Sequence, residues 1–366
     1  MRGEELKLPF YAKATLIFIG LFALFTVLDI TQNIIVPLVF AIVIAIALHP
    51  IVNFLVRLKI NRVIAIVLTL ALTVLVIAAF SALMISQGIR FSESWPILSE
   101  KFNGFLNQTI TAASRYFDIN PQKIHAWIAK ATSDIINTST AAIGKTIVII
   151  SSALVVLFLI PVYVFLILFY KPILLEFIYK LFSQNNQNQV GEIVTRTKAV
   201  VQSYIIGLVI EAVLVATLNT MALLILGIDY ALLIGIIGGL LNIIPYIGGV
   251  VAVALPMMVA LVTKSSPWYA FYVLAAYYFI QLVDNNYIVP KIVASKVKIN
   301  ALFAIVVVIA GNSLWGVPGM FLSLPLLAIV KVICDEIEPL KPGGFLLGDT
   351  MPPLLKIKLI LKKSKK

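Results

Sequence analysis

Residues 231–263 read ALLIGIIGGLLNIIPYIGGVVAVALPMMVALVT, and residues 301–333 read ALFAIVVVIAGNSLWGVPGMFLSLPLLAIVKVI. Each stretch is apolar at both ends and is interrupted near its middle by polar residues, glycine and proline. A membrane-crossing helix needs about 20 apolar residues, so each stretch is too long for one ordinary crossing and too short for two. Irregular backbone at membrane depth must face protein or a water-filled cavity, and a pair of such segments indicates a transporter's binding region.

The composition of the whole chain is that of a multi-pass membrane protein. Of its 366 residues, 61% are hydrophobic and only 12% are charged, which no soluble core could accommodate. The N-terminal apolar run continues to Leu28 without a small-residue cleavage site, so it does not read as a cleavable signal. The single cysteine, Cys334, excludes disulfides and cysteine-based metal sites. We therefore expect an all-α, polytopic membrane fold.

The hydropathy pattern predicts about eight hydrophobic elements. Two of them are the interrupted stretches, and the other six are conventional spans. The spans are predicted at roughly 14–28, 34–56, 63–87, 146–170, 201–226 and 268–290.

The distribution of lysine and arginine favours cytoplasmic N- and C-termini in an inner (plasma) membrane, because cytoplasmic loops are enriched in these residues. The predicted outer loops 29–33 and 227–230 contain none. If each interrupted stretch is a re-entrant hairpin, the lysines of the short loop 291–300 lie inside; if each crosses fully, they lie outside. This count favours two hairpins that enter from opposite faces, and two long kinked spans remain the alternative.

Hairpins of opposite topology predict an inverted internal repeat, with one unit at 200–265 and the other at 267–333. An offset of 70 residues aligns three pairs of polar or glycine positions, and an offset of 69 aligns a Leu-Pro pair in each half. The aligned pairs are Asn242 with Asn312, Gly249 with Gly319, Glu211 with Gln281, and Leu255-Pro256 with Leu324-Pro325.

The chain divides into five regions. We expect N-terminal scaffold spans, an extracytoplasmic amphipathic helical segment, a fourth span with a cytoplasmic loop, the inverted-repeat transport region, and a basic cytoplasmic tail. Their bounds are 1–87, 88–145, 146–199, 200–333 and 334–366. The net charge of +12 follows from membrane topology and from a tail suited to anionic lipid, or to solvent as a frayed end, so nucleic acid is not a predicted partner.

Two acidic residues within predicted spans are candidates for ion or proton coupling. Glu211 and Asp284 would each be costly in a membrane unless they face a cavity or a partner, although a protonated acid bonded to a neighbouring helix would also explain them. Gln281 and Asn285 lie three residues before and one after Asp284, so all three share a helix face and could support it.

The two predicted hairpin tips are candidates for lining a solute path. Proline frees a backbone carbonyl, glycine permits close approach, and asparagine offers a donor and an acceptor. Self-satisfied tight turns are the alternative. The candidate residues are Asn242, Pro245, Gly248 and Gly249 in the first tip, and Asn312, Gly316, Pro318 and Gly319 in the second.

No motif in the sequence indicates an enzyme. The two histidines, His49 and His125, have no metal-ligand partner at useful spacing. HExxH, GxSxG, Walker and CxxC motifs are all missing. We expect no catalytic residue, no metal, no cofactor and no nucleotide-driven pump.

Three motifs resemble the autoinducer-2 exporter family of permease-like proteins. They are N-x-x-P-x-x-G at 242–248, the Q…P-K-I run at 281–292, and G-x-x-G-x-x-x-x-x-P at 316–325. The resemblance covers nearly the whole chain. This sequence departs from the family at Gly248-Gly249, where Gly-Pro is frequent, and at Asn300-Ala301, where a His-Pro pair is frequent.

The resemblance implies an eight-element secondary transporter that forms a ring-like homo-oligomer, such as a pentamer. Some members of the family are thought to export the small, polyhydroxylated quorum-sensing signal autoinducer-2, and others resemble Na⁺(Li⁺)/H⁺ antiporters. A small polar solute would use amide and backbone donors at the tips, whereas antiport of Na⁺ and H⁺ would depend on Glu211 and Asp284. Both functions stay open, as does a structural or regulatory role in the envelope.

Overall fold

The computed structural model describes residues 9–117, 122, 158–243, 248–293 and 299–349. Within these residues the fold is all-α, as predicted, and each of the eight hydrophobic elements contains helix. The α-helices are α1 (Phe10–Ile30), α2 (Gln32–Arg57), α3 (Arg62–Phe117), α4 (Phe158–Lys180), α5 (Gln187–Ile225), α6 (Ala231–Asn242), α7 (Gly248–Thr263), α8 (Trp268–Val283), α9 (Ala301–Glu336) and α10 (Lys341–Leu347).

Five of the described helices, α2, α3, α4, α5 and α9, are long and apolar enough to cross a membrane. Their outward faces are apolar, and α1 exposes Phe18 and Phe22 by 73% and 75% of their surfaces. Water-facing surfaces do not carry contiguous apolar area of this extent, so these faces are suited to lipid. The chain is a multi-pass membrane protein.

The helices pack around two buried clusters. In the N-terminal half, Ala41 of α2, Ile66 of α3 and Val164 of α4 are buried together. In the C-terminal half, the C-terminal end of α5 and the beginning of α6 pack with α7 and α8. A smaller cluster of α2, α5 and α9 lies between them, so α5 contacts both halves of the molecule.

The first interrupted stretch forms two short helices, α6 and α7, that pack against each other. A Cβ atom added to Gly238 of α6 would lie 3.7 Å from the Cβ of Ala252 in α7. A Cβ atom on Gly227, just before α6, would lie 3.2 Å from Lys264 Nζ, just after α7. The two ends of the stretch are therefore adjacent, so the chain reverses direction between them and α6 and α7 form a hairpin.

The second interrupted stretch also reverses direction, inside α9. Gly316 has φ 63° and ψ −144°, a conformation that is available to glycine and strained for other residues. Gly311 and Gly319 on either side are so close that a Cβ atom on Gly319 would lie 1.9 Å from the Gly311 carbonyl oxygen. In a straight helix these residues would be about 12 Å apart, so the two halves of α9 fold against each other.

The bases of the two hairpins lie at opposite ends of α5. Gly227 and Tyr230 directly follow the end of α5, and the Tyr230 hydroxyl is 2.6 Å from Ser94 Oγ on α3. At the other hairpin, Glu336 is within 2.6 Å of Gln189 and 2.5 Å of Arg196, both near the start of α5. A helix of 39 residues is about 58 Å long, so the hairpins approach from opposite directions.

Two parts of the chain contain longer helices than the sequence prediction gave. The third predicted span and the first part of the predicted amphipathic helical segment form one continuous helix, because α3 extends without interruption to Phe117 and includes Pro96. Most of the predicted cytoplasmic loop in 171–199 is helical, since α4 and α5 extend beyond their apolar sections and carry i,i+4 ion pairs such as Lys180–Glu176. The part of the predicted amphipathic helical segment 88–145 that begins at residue 123 lies outside the described residues.

The predicted span 268–290 consists of two kinds of helix. After α8, residues Asp284–Val293 form a π-helix that contains Pro290. Proline has no N–H to donate to the regular α-helical ladder, and π-helical turns are frequent at functional sites. The change from α-helix to π-helix occurs at Asp284, one of the two acidic residues that the sequence analysis identified as candidates.

Candidate functional site

Glu211 lies near the middle of α5 on the helix face that points into the protein. Buried residues follow one another on this face at intervals of three and four, which is the period of an α-helix. They include Val201, Tyr204, Leu208, Glu211, Val215 and Asn219. The Glu211 residue is only 6% exposed, so its carboxylate is directed away from lipid and toward the hairpin α6–α7.

Asn242 joins Glu211 to the second acidic residue. It is the last residue of α6, and its Nδ2 atom donates to Glu211 Oε1 at 3.2 Å and to Asp284 Oδ2 at 2.9 Å. An amide NH₂ group has two hydrogens, so it can serve both acceptors at once. Three elements, α5, α6 and the π-helix, therefore meet at a single amide.

Asp284 is the most deeply buried polar group of the site. It is 1% exposed, and its Oδ2 atom also receives a hydrogen bond of 3.3 Å from Gln281 Nε2. The same Gln281 nitrogen is 3.3 Å from Asn285 Oδ1, as expected for residues on one helix face. The other carboxylate oxygen, Oδ1, has no hydrogen-bond partner among the described residues.

The polar groups open onto a cavity of about 750 Å³. Its lining is mixed and includes carboxylates, amides and phenols as well as aliphatic side chains. Of the described residues that line it, two are acidic and none is basic. The lining residues are Tyr204, Leu208, Glu211, Asn242, Ile243, Gly249, Val253, Leu274, Tyr277, Tyr278, Gln281, Asp284, Asn285, Val289, Ala304 and Leu324.

Gly249, in the first turn of α7, brings the hairpin against this polar face. A Cβ atom there would lie 2.6 Å from Gln281 Oε1, which is closer than real Cβ atoms approach. A side chain at position 249 would therefore displace the flexible Gln281 side chain. The first hairpin contacts the site from both of its halves.

The predicted site residues divide into two groups in the structure. Six of them line the cavity: Glu211, Asn242, Gly249, Gln281, Asp284 and Asn285. Gly248 begins α7 next to this group, and Pro245 lies outside the described residues.

The second tip does not line the cavity. Gly316 forms the reversal, Asn312, Pro318 and Gly319 flank it, and Trp315 Nε1 donates to the Leu28 carbonyl of α1 at 3.1 Å. A role for these four residues in a solute path stays a prediction.

Sequence reasoning missed four polar residues in or near the site. Tyr204, Tyr277 and Tyr278 line the cavity. Asn219, 2% exposed, places Nδ2 where a Cβ atom on Gly238 would be 2.9 Å away. The Tyr277 hydroxyl and Asn219 Oδ1 have no hydrogen-bond partner within the described part of the chain. Tyr204 lies seven residues before Glu211 and Asn219 eight residues after it, so all three share one helix face. This spacing could have indicated both residues from the sequence.

The donor set does not resemble a metal centre. Within the described ranges, no group of three or more His, Cys, Asp or Glu side chains converges on one point. Amide and carboxylate oxygens with phenolic hydroxyls can instead bind a hydroxylated organic molecule, a monovalent cation or a proton.

Comparison with known proteins places this site in a family. The model of the AI-2E family of transporters matches residues 14–338. PerM of Escherichia coli strain K12, which is named as a permease, is 27% identical over 279 residues, covering 74% of this chain and 77% of PerM. YrrI of Bacillus subtilis strain 168, named as a transport protein, is 22% identical over 314 residues, covering 83% and 86%.

A third relative carries a substrate in its name. The AI-2 transport protein TqsA of Escherichia coli strain K12 is 24% identical over 318 residues, which cover 87% of this chain and 90% of TqsA. The region matched by the family model, residues 14–338, includes α5, the first hairpin, α8, the π-helix and α9, which together line the cavity. This protein is a transporter rather than an enzyme, and it belongs to the AI-2E transporter family.

Proposed function

We propose that the protein is a secondary transporter that exports a small polar organic solute through the cavity beside α5. The observation that carries this proposal is the size and lining of the cavity. A volume of about 750 Å³ falls within the range of small-molecule sites, about 300–1,000 Å³, and greatly exceeds the space of one ion. A lining that combines amides and phenols with aliphatic groups suits a solute with hydroxyls on a carbon skeleton.

Autoinducer-2 is the specific solute that we propose to test first. TqsA, whose name states that it transports AI-2, matches nearly the full length of this chain. The signal is small and polyhydroxylated, and the site offers Asn242, Gln281 and Asn285 as neutral donors and acceptors. Glu211 and Asp284 could each accept a hydrogen bond from a hydroxyl group.

Exchange of Na⁺ or Li⁺ for H⁺ is the second candidate function, and the carboxylate pair favours it. Because both acidic oxygens contact the same amide nitrogen, they are separated by at most about 6 Å. Two negative charges at that distance repel by roughly 3 kcal/mol at an effective dielectric constant of about 20. A cation or a proton at the pair would relieve this repulsion, so the pair could couple cation and proton movement to solute export.

The hairpins provide the proposed transport mechanism. We infer that each is re-entrant and that they enter from opposite membrane faces, supported by their bases at opposite ends of α5. Together with α5 and α8 they would form the inverted repeat of 200–333, moving against a scaffold of residues 1–170. We also propose that both termini are cytoplasmic, that the basic tail binds anionic lipid, and that the protein forms a homo-oligomer such as a pentamer.

Flux measurements in proteoliposomes test the two candidate functions separately. Export of autoinducer-2 should occur with the unaltered protein, and Glu211→Gln or Asp284→Asn should abolish a Na⁺-dependent pH signal if the pair couples cations. Glu192→Gln is the matched control, because Glu192 is an exposed carboxylate on the same helix. If the protein moves neither autoinducer-2 nor Na⁺ and H⁺, both assignments are wrong.

The topology has its own test. In a Cys334→Ser background, single cysteines at 264 and 296 should react with a membrane-impermeant maleimide from opposite sides of the membrane. Position 264 ends the first hairpin, and position 296 precedes the second. Labelling of both positions from one side would refute opposite entry while leaving the flux result untouched.

A further inference from the structure

A second cavity lies far from the carboxylate pair along the chain, among the first helices. It has a volume of about 330 Å³ and is formed where the C-terminal part of α2, the beginning of α3 and the C-terminal part of α4 meet. Among the described residues, its lining includes three basic side chains, those of His49, Arg62 and Lys171, and no carboxylate. The lining residues are His49, Val52, Asn53, Val56, Arg62, Leu168, Lys171, Pro172 and Leu175.

Hydrogen bonds fix the nitrogen groups of this basic pocket. The Lys171 ammonium contacts His49 Nε2, and since an ammonium only donates, the imidazole accepts there and carries its hydrogen on Nδ1. Asn53 Nδ2 lies 3.2 Å from His49 Nδ1. Turning the Asn53 amide by 180° would instead place its oxygen there, as the acceptor of the Nδ1 hydrogen. Arg62 uses one guanidinium nitrogen to donate to the Leu168 carbonyl at 2.6 Å, which leaves further N–H donors on the same group.

The positive charge of the basic pocket is not balanced by neighbouring acids. Lys198 of α5 adds to the positive potential at both His49 and Lys171. Within the described ranges, none of Arg62, Lys171 and Lys198 has a carboxylate within 4.0 Å. Lys180, two turns further along α4, differs in that it pairs with Glu176 at 2.7 Å.

We propose that the basic pocket binds a phosphate group, which is presented by the headgroup of an anionic phospholipid or is free in solution. A guanidinium fork and an ammonium are the usual protein partners of phosphate oxygens. The pocket lies at the ends of α2, α3 and α4 that the lysine and arginine distribution places at the cytoplasmic face. Basic pockets between helices on that side are suited to lipid headgroups.

The surroundings of the pocket can also accommodate acyl chains. Val56, which lines the pocket, is 39% exposed, and Ile173 and Leu174 on α4 are 61% and 45% exposed. A headgroup held by Arg62 and Lys171 would therefore place its chains along apolar helix surface. In this arrangement the lipid would join α3 to α4 beside the N-terminal buried cluster.

Lipid retention and phosphate-dependent stability together test the proposal. The full-length protein is purified in mild detergent, and native mass spectrometry measures the binding of phosphatidylglycerol and of zwitterionic phosphatidylcholine. In a second arm, thermal unfolding is compared in sodium phosphate and in sodium chloride at equal ionic strength. The variants are Arg62→Gln and Lys171→Gln, with Lys171→Arg as the charge-conserving variant and Lys180→Gln as the matched control on the same helix.

We expect the unaltered protein and Lys180→Gln to bind phosphatidylglycerol equally well and better than phosphatidylcholine. Arg62→Gln and Lys171→Gln should each bind it about tenfold more weakly, the effect of losing one charge-assisted contact. Lys171→Arg keeps the positive charge and should bind phosphatidylglycerol as the unaltered protein does. If phosphate stabilises the unaltered protein but not Lys171→Gln, while no phosphatidylglycerol is retained, the ligand is free phosphate.

The proposal is overturned if both glutamine variants retain phosphatidylglycerol like Lys180→Gln and phosphate stabilises all proteins to the same extent. Two glutamine variants are used so that a folding defect in one does not decide the outcome. Monodisperse elution in gel filtration establishes that each variant compared is folded. Transport assays do not enter this test, so it is independent of the proposed solute.

Discussion

Replacing Asn242 with alanine should destabilise the protein more than any comparable loss of a buried amide outside the site. The side chain donates to Glu211 at 3.2 Å and to Asp284 at 2.9 Å. A hydrogen bond to a charged group contributes about 1.5–3 kcal/mol. Loss of both, in a position where water replaces them only in part, should lower the free energy of unfolding by roughly 3 kcal/mol, or the melting temperature by about 5 °C.

The assay is thermal unfolding of the detergent-purified protein, with Asn219→Ala as the matched control. Asn219 is also a buried asparagine, 2% exposed, but its Oδ1 atom has no hydrogen-bond partner among the described residues. Its removal should therefore cost less than 1 kcal/mol. A second change, Glu211→Gln, should partly rescue Asn242→Ala, because it removes one of the two repelling charges and supplies a new amide donor.

The outcome of this comparison decides whether the amide bridge exists. If Asn219→Ala and Asn242→Ala lower the melting temperature equally, the shared amide has no special contribution. If Glu211→Gln does not rescue Asn242→Ala, the two carboxylates do not repel each other in the folded protein. The double-mutant design separates this coupling from the cost of each single change.

Further predictions concern the glycines and a tyrosine of the hairpin region. Gly319→Ala should lower the free energy of unfolding by about 1–3 kcal/mol, because its Cβ atom would lie 1.9 Å from a carbonyl oxygen across the hairpin; Gly104→Ala, with open space around it, should be neutral or slightly stabilising in chemical denaturation. Gly249→Ala should displace Gln281 and reduce solute flux in proteoliposomes, while the melting temperature changes little if the flexible glutamine moves aside. Tyr277→Phe removes a buried hydroxyl without a partner in the described chain, so stability should hold or rise, and an increased KM for flux would show that the hydroxyl binds solute.

Chain reversal in the two interrupted stretches could be predicted from the sequence because several independent signals agreed. Their length and their central glycines and prolines indicated that each stretch is interrupted, and the lysines of loop 291–300 favoured hairpins over kinked spans. The position of Gly316 at the reversal also follows, since its φ of 63° is favourable for glycine. Whether the hairpins are re-entrant in a bilayer remains a prediction until the labelling experiment is done.

The contact between Asn242 and Asp284 could not be predicted by the same means. The repeat alignment paired Asn242 with Asn312 and Glu211 with Gln281, which identifies equivalent positions but not neighbouring ones. In the structure Asn242 lies against both acids, while the second tip contacts α1 through Trp315. A contact across 42 residues depends on how α6 packs on α5, and the approach of Gly235 and Gly239 to Thr220 and Ala216 sets that packing.

The helical character of residues 88–117 could be predicted from the sequence, but their continuity with the third span could not. Gly88 directly follows the predicted span at 63–87, and a single glycine costs a helix only about 1 kcal/mol. Residues 88–117 retain a helical period in their apolar positions, and they continue the helix to Phe117. A change in polarity along the chain therefore does not mark where a helix ends.

The arrangement of the site indicates how movement of the hairpin could be coupled to the binding of a solute, a cation or a proton. Glu211 is fixed on α5, Asn242 ends the first half of a hairpin, and Asp284 begins the π-helix, so one amide holds three elements together. If the hairpin moves to admit a solute, Asn242 must leave at least one carboxylate. That carboxylate then needs a new partner in the cavity, such as a solute hydroxyl, a cation or a proton. Opening of the site and binding of a charge-compensating species are therefore linked, because neither carboxylate has a basic neighbour in the described cavity lining.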